Sequence, residues 1–77
     1  MTFRQLREKA GLTVKESAKR LGIKPSTLNK YEVSIRHPSQ LVMIQMVQVY
    51  KCTHEDVMIA YKGNLERAVQ KFGKTNP

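Results

Sequence analysis

The sequence predicts an all-α fold: a compact five-helix bundle followed by a short C-terminal helical extension. Apolar residues recur at helical spacing, and no stretch alternates with the period of a strand. Glycines and capping residues break that spacing at short intervals. The 77 residues, 40% of them hydrophobic, suffice for one small core and exceed what a disordered tail carries. At this length folding buries roughly 60% of the unfolded surface, so one domain is expected. That domain is placed at residues 1–61, with the extension at 62–77.

The first helix puts Phe3, Leu6 and Ala10 on one face, and Gly11 ends it. Thr13 and Glu16 then form a capping box, hydroxyl to one amide and carboxylate back to the other. Val14, Ala18 and Leu21 follow at i, i+4 and i+7, and Gly22 stops the second helix. The connection Gly22-Ile23-Lys24 is too tight for antiparallel neighbours, so the flanking helices cross steeply. Ala18 leaves room for that crossing, and Ile23 plugs the space beneath it.

Lys24-Pro25 opens the third helix, expected over about 24–33. Proline suits the first helical position, and its predecessor is pushed to extended geometry. Leu28, Tyr31 and Ile35 are expected to point inward, and 34–38 to form a loop. The fourth helix, 39–50, is apolar nearly all round except at Gln40, Gln45 and Gln48. It is either a mostly buried central helix or one with a core face and an interface face. Thr53-x-x-Asp56 repeats the capping pattern ahead of 57–61. Lys62-Gly63-Asn64 reads as a turn, after which Asn64 caps a short helix over 64–72. Leu65, Ala68, Val69 and Phe72 share one face of it, Gly73 closes it, and the tail is expected to fray.

Charge gives the first indication of a partner. Fourteen basic against six acidic residues leave +8. Residues 1–36 carry nine basic and three acidic side chains, and 37–77 carry five and three. A basic amino-terminal half suits an anionic partner, nucleic acid before an acidic membrane; a solvated lysine-rich surface is the bland alternative. The longest apolar runs fall far short of the roughly 20 residues a spanning helix needs. Cys52 is the only cysteine, which excludes an internal disulfide. With no visible signal peptide, a soluble cytoplasmic protein is expected.

Catalysis and cofactors find no support. There is no glycine-rich phosphate loop, no Ser/His/Asp arrangement and no pair of carboxylates set for acid–base work. Cys52 and His54 are too few for a metal site, and Cys52 is expected to be a small core residue. Met43, Met46 and Met58 suit a core or an interface. Glu16 is assigned to capping and Glu32 to a structural ion pair.

The exposed face of the third helix shows Ser26, Thr27, Asn29 and Lys30, all able to hydrogen-bond and none acidic. Such a face suits the major groove. Here the chain resembles a known family. Leu6-Arg7-Glu8-x-x-Gly11-Leu12-Thr13, Ala18-x-x-Leu21-Gly22-Ile23, Ser26-Thr27-Leu28-x-x-Tyr31-Glu32 and Arg36-x-Pro38-Ser39 look like the Cro/C1-type (lambda-repressor-like) helix-turn-helix regulators. The resemblance covers roughly residues 3–58.

It implies a five-helix fold with the helix-turn-helix at 13–32 and the third helix reading double-stranded DNA, commonly as a homodimer. It puts Pro25, Ser26, Asn29 and Lys30 near base edges, and Thr27 and Arg36 near phosphate. Lys24 and His37 flank these as further phosphate candidates. Val14 stands where the family often has a glutamine that bridges to phosphate. Thr13 or Lys15 takes over that contact, or it is missing. Ser34 stands where the family favours glycine, so the turn there is expected to differ. The competing reading is a protein-interaction module, gripping a toxin, a polymerase subunit or another regulator through helix four and the C-terminal helix.

Overall fold

The computed structural model describes residues 1–72. Among them are five helices and no strand: α1 (Phe3–Lys9), α2 (Val14–Leu21), α3 (Pro25–Glu32), α4 (Gln40–Val49) and α5 (His54–Phe72). The all-α five-helix bundle is therefore the observed fold.

Local chemistry sets most boundaries. Thr13 and Glu16 form the expected reciprocal box at the start of α2, with bonds of 3.0 and 3.1 Å. Thr53 and Asp56 do the same at α5, at 3.0 and 3.1 Å. A third box, Thr2 with Gln5, opens α1 and follows the same S/T-x-x-E/Q pattern. Ser39 caps α4 by accepting from the Val42 amide. Gly22 ends α2 at φ 71°, a left-handed geometry that glycine adopts without steric penalty.

The core joins all five helices. Phe3, Leu6, Ala18, Leu21, Leu28 and Met46 are among its most buried members, with Val57 and Ala60 from α5. Ala18 is fully buried, and α2 packs against both α3 and α4. Ile23 is half-buried against the core, as a plug should be. Inside the core, Ser17 Oγ and Tyr50 Oη lie 2.6 Å apart and tie α2 to the end of α4. Burial pushes the Tyr50 phenol above its ordinary value. Cys52 packs partly buried against the same core, and burial raises its thiol.

Three expectations are corrected. Ile35 does not point inward: it is exposed, because the chain has already left helical geometry at Val33. Of the two alternatives for α4, the mostly buried helix is excluded: Met43, Met46 and Tyr50 face the core while Leu41 is 68% exposed and Ile44 also faces outward. The third correction concerns the turn at Lys62-Gly63-Asn64. The helix runs straight through it, so 64–72 is the second half of α5, and Asn64 is a buried helical residue instead of a cap. The expected closure at Gly73 and the fraying of 74–77 lie outside the described residues.

Candidate nucleic-acid interface

Helices α2 and α3 with the Gly22-Ile23-Lys24 connection form the helix-turn-helix. Leu28 and Tyr31 bury one side of α3. Pro25, Ser26, Asn29 and Lys30 are all exposed on the other. At 3.6 residues per turn these four fall within an arc of about 140° facing away from Leu28 and Tyr31. Thr27, half-buried, lies about 60° beyond that arc on the side of Tyr31. The helix therefore brings together the four side chains singled out for base edges.

The start of α3 is unlike the other helix starts. Its N-cap is Lys24, which has no side-chain oxygen and makes no capping bond. Pro25 removes one orphan N–H; the amides of Ser26 and Thr27 keep theirs, at the positive end of the helix dipole. An anionic oxygen is a suitable acceptor for them.

A buried ion pair holds α3 in place. Arg7 of α1 grips Glu32, the last residue of α3, through two parallel bonds: Nε to Oε2 at 2.7 Å and Nη2 to Oε1 at 3.0 Å. Its Nη1 donates to the Leu12 carbonyl at 3.0 Å. One guanidinium thus binds α1, the α1–α2 loop and the end of α3. The hydrogen bond to Glu32 raises the Arg7 guanidinium above its ordinary value, outweighing desolvation. Glu32 is the structural ion-pair partner expected of it.

The remaining candidates are spread around this helix. Lys15, Lys24 and Arg36 are exposed. Thr13 is exposed, but its amide and hydroxyl oxygen are both engaged with Glu16, which leaves its O–H as the one donor. His37 is half-buried with its Nδ1 3.0 Å from the Asn64 amide nitrogen and its ring edge-on to Tyr61, centroids 6.2 Å apart. Since the amide donates, Nδ1 accepts, and Nε2–H is the donor left over.

Two residues were missed. Arg4 lines a cleft with Val14, Asn29 and Val33, although Glu8 also holds its guanidinium at 3.2 Å. Its spacing from Arg7 was the available signal, since residues three apart share a helix face. Asn64 was misread as a cap. Its Nδ2 donates to the Arg36 carbonyl at 3.1 Å and to His37, and its Oδ1 accepts from Ser34 Oγ at 2.7 Å. The turn at Ser34 does not depart as expected: at φ 66° the serine occupies the left-handed geometry that a glycine would adopt freely. The conformation costs serine about 1–2 kcal/mol. Two hydrogen bonds offset it, the one to Asn64 and one from Arg67 Nε at 3.1 Å.

Among the described residues no cluster of three or more His, Cys, Asp or Glu side chains is arranged to hold a metal, and no helix is long and apolar enough to cross a membrane.

Fold and face together define a helix-turn-helix protein. The helix-turn-helix family model matches residues 3–57. The chain belongs to the Cro/C1-type helix-turn-helix family of DNA-binding regulators. Comparison with curated proteins and with solved structures returned no significant match.

Proposed function

We propose that this chain is a sequence-specific transcriptional regulator, of repressor type, that lays α3 in the major groove. One observation carries the reading: the outward arc of α3 holds Pro25, Ser26, Asn29 and Lys30 and no carboxylate. Asn29 has the geometry to pair with adenine N6 and N7, and Lys30 donates to guanine O6 or N7. Ser26 donates or accepts, and Pro25 offers only an apolar contact, suited to a thymine methyl. Phosphates are met by Lys15, Lys24, Thr27 and Arg36, by the free O–H of Thr13 and by Nε2–H of His37, with the amides at the start of α3. Val14 leaves the amino end of α2 without an amide side chain to bridge to phosphate.

Double-stranded DNA is the partner, and the working form is a cytoplasmic homodimer on two half-sites about one helical turn apart. A row of exposed apolar residues supports the dimer. Met58, Leu65, Val69 and Phe72 recur at i, i+7, i+11 and i+14 on one face of α5, and Phe72 is 60% exposed. Neither a substrate nor a cofactor enters this account.

The test is selection of bound duplexes from a random DNA pool, followed by binding measurements at two salt concentrations. Enrichment of a two-half-site sequence, with affinity falling steeply as salt rises, is expected. Failure to bind any duplex at low salt would favour the protein-interaction reading.

A further inference from the structure

The segment after α3 is held from two sides. The amides of Ile35 and Arg36 both donate to the Lys30 carbonyl of α3, at 3.0 and 3.2 Å. The Arg36 carbonyl accepts from Asn64 of α5. Immediately ahead of these anchors lies Ser34 in its left-handed turn. Arg67 closes the arrangement: Nε donates to Ser34 Oγ, and Nη2 reaches Asn64 Oδ1 at 3.4 Å.

The place of Arg67 is itself prepared. Gly63 stands one helical turn before it, and a Cβ added there would meet Arg67 Nη1 at 3.2 Å. The bare backbone of Gly63 is the seat of the guanidinium. That accounts for a glycine in the middle of a 19-residue helix, where it otherwise weakens the structure. The half-buried guanidinium directs Nε and Nη2 into this cluster.

We propose that Arg67 is a positioning residue for DNA recognition: seated over Gly63, it locks the Ser34 turn and so sets where Arg36 stands beside the recognition helix. The role rests on the reading of α3 as the DNA-contacting helix. Arg67 acts through Ser34 and Asn64, without meeting DNA. Serine at that φ relaxes when its partners are removed, whereas glycine needs no partner.

The experiment uses the full chain, a duplex selected from the random pool, and fluorescence anisotropy across a salt series. Loss of one charge-assisted bond predicts that Arg67→Ala binds about tenfold more weakly. Its log–log salt slope falls by about one, as the displaced Arg36 loses its phosphate, and the added Ser34→Gly restores the slope. Arg67→Lys is also weak, since an ammonium has no planar fork to span Ser34 and Asn64. This variant keeps the charge, and it carries the test if Arg67→Ala does not fold. Adding Ser34→Gly to Arg67→Ala restores most of the affinity. Without DNA, the Ile35 and Arg36 amides exchange with solvent faster in Arg67→Ala than in the parent.

Parental affinity in Arg67→Ala would overturn the role. So would a salt slope that falls by about one and stays low after Ser34→Gly is added, the mark of a phosphate contact made by Arg67 itself. No rescue by Ser34→Gly would overturn it as well. A parent that binds no duplex would sink the DNA reading and this role with it; a parent that binds beside an equally tight Arg67→Ala would sink this role alone.

Discussion

Among single side chains, those that carry stability differ from those proposed to read DNA. Arg7 and Glu32 are both largely buried, with side chains 11% and 7% exposed. Removing one partner strands a buried charge, so Glu32→Ala is expected to cost about 3–5 kcal/mol in chemical denaturation. Asn29 and Lys30 are exposed. Their alanine variants should leave stability nearly unchanged while each costs about 1–3 kcal/mol of binding and relaxes one base position. A set of melting curves beside a set of binding curves checks the separation. The Arg7–Glu32 pair was half legible. Glu32 stood out as the one carboxylate of α3, but its partner lies 25 positions away. Asn64 was not legible at all. Next to Lys62-Gly63 it has the local chemistry of a turn, and only the distant Ser34, Arg36 and His37 make it a helical residue.

At the scale of elements, capping explains why the boundaries could be read so closely. Threonine and a residue three positions on suffice to start α2 and α5, and the chain carries that information locally. The same caps predict acid sensitivity. Hydrogen bonds from Thr13 hold Glu16 below its ordinary carboxylate value, and those from Thr53 hold Asp56 below its own. The folded pKa is the lower one in both cases. Their contribution is therefore present above the unfolded carboxylate range, near pH 4, and is lost as pH falls through the folded values. Thermal melts from pH 7 to 3 should show this loss, and the double variant Glu16→Gln, Asp56→Asn should flatten it.

Helix α5 shows where local signals mislead. Lys62-Gly63-Asn64 is a sound turn signal, yet Asn64 and Arg67 gain partners only if the helix continues. Gly63→Ala should add helix propensity but crowd the tethered guanidinium. The expected gain in denaturation is thus below the roughly 1 kcal/mol that an unhindered mid-helix change brings.

For the whole molecule, the two faces of α5 divide the labour. One face ties the loop after α3 to the bundle; the other carries Met58, Leu65, Val69 and Phe72 outward. Removing the extension would strip both at once, so a point change on the apolar face is the cleaner probe. Val69→Glu should keep the helical circular dichroism spectrum and shift sedimentation to the monomer. It should weaken binding to a two-half-site duplex far more than to a single half-site. A dimer that survives Val69→Glu would place the interface elsewhere, with Leu41 and Ile44 of α4 the next exposed apolar pair. The bundle was legible because helical spacing is a local property. The outward apolar rows of α4 and α5 were ambiguous in the sequence because periodicity marks a face without saying what covers it.

We propose that α3 reads DNA with Pro25, Ser26, Asn29 and Lys30. The most direct test measures the affinity of the parent, Asn29→Ala and Lys30→Ala for a pool-selected duplex and for its single-base variants. Each alanine change should bind the selected duplex about 5- to 150-fold more weakly, following the cost of a lost base contact. Each should also lose discrimination at one base position and retain it elsewhere. Parental affinity and unaltered base preference in both variants would rule out α3 as the reading helix.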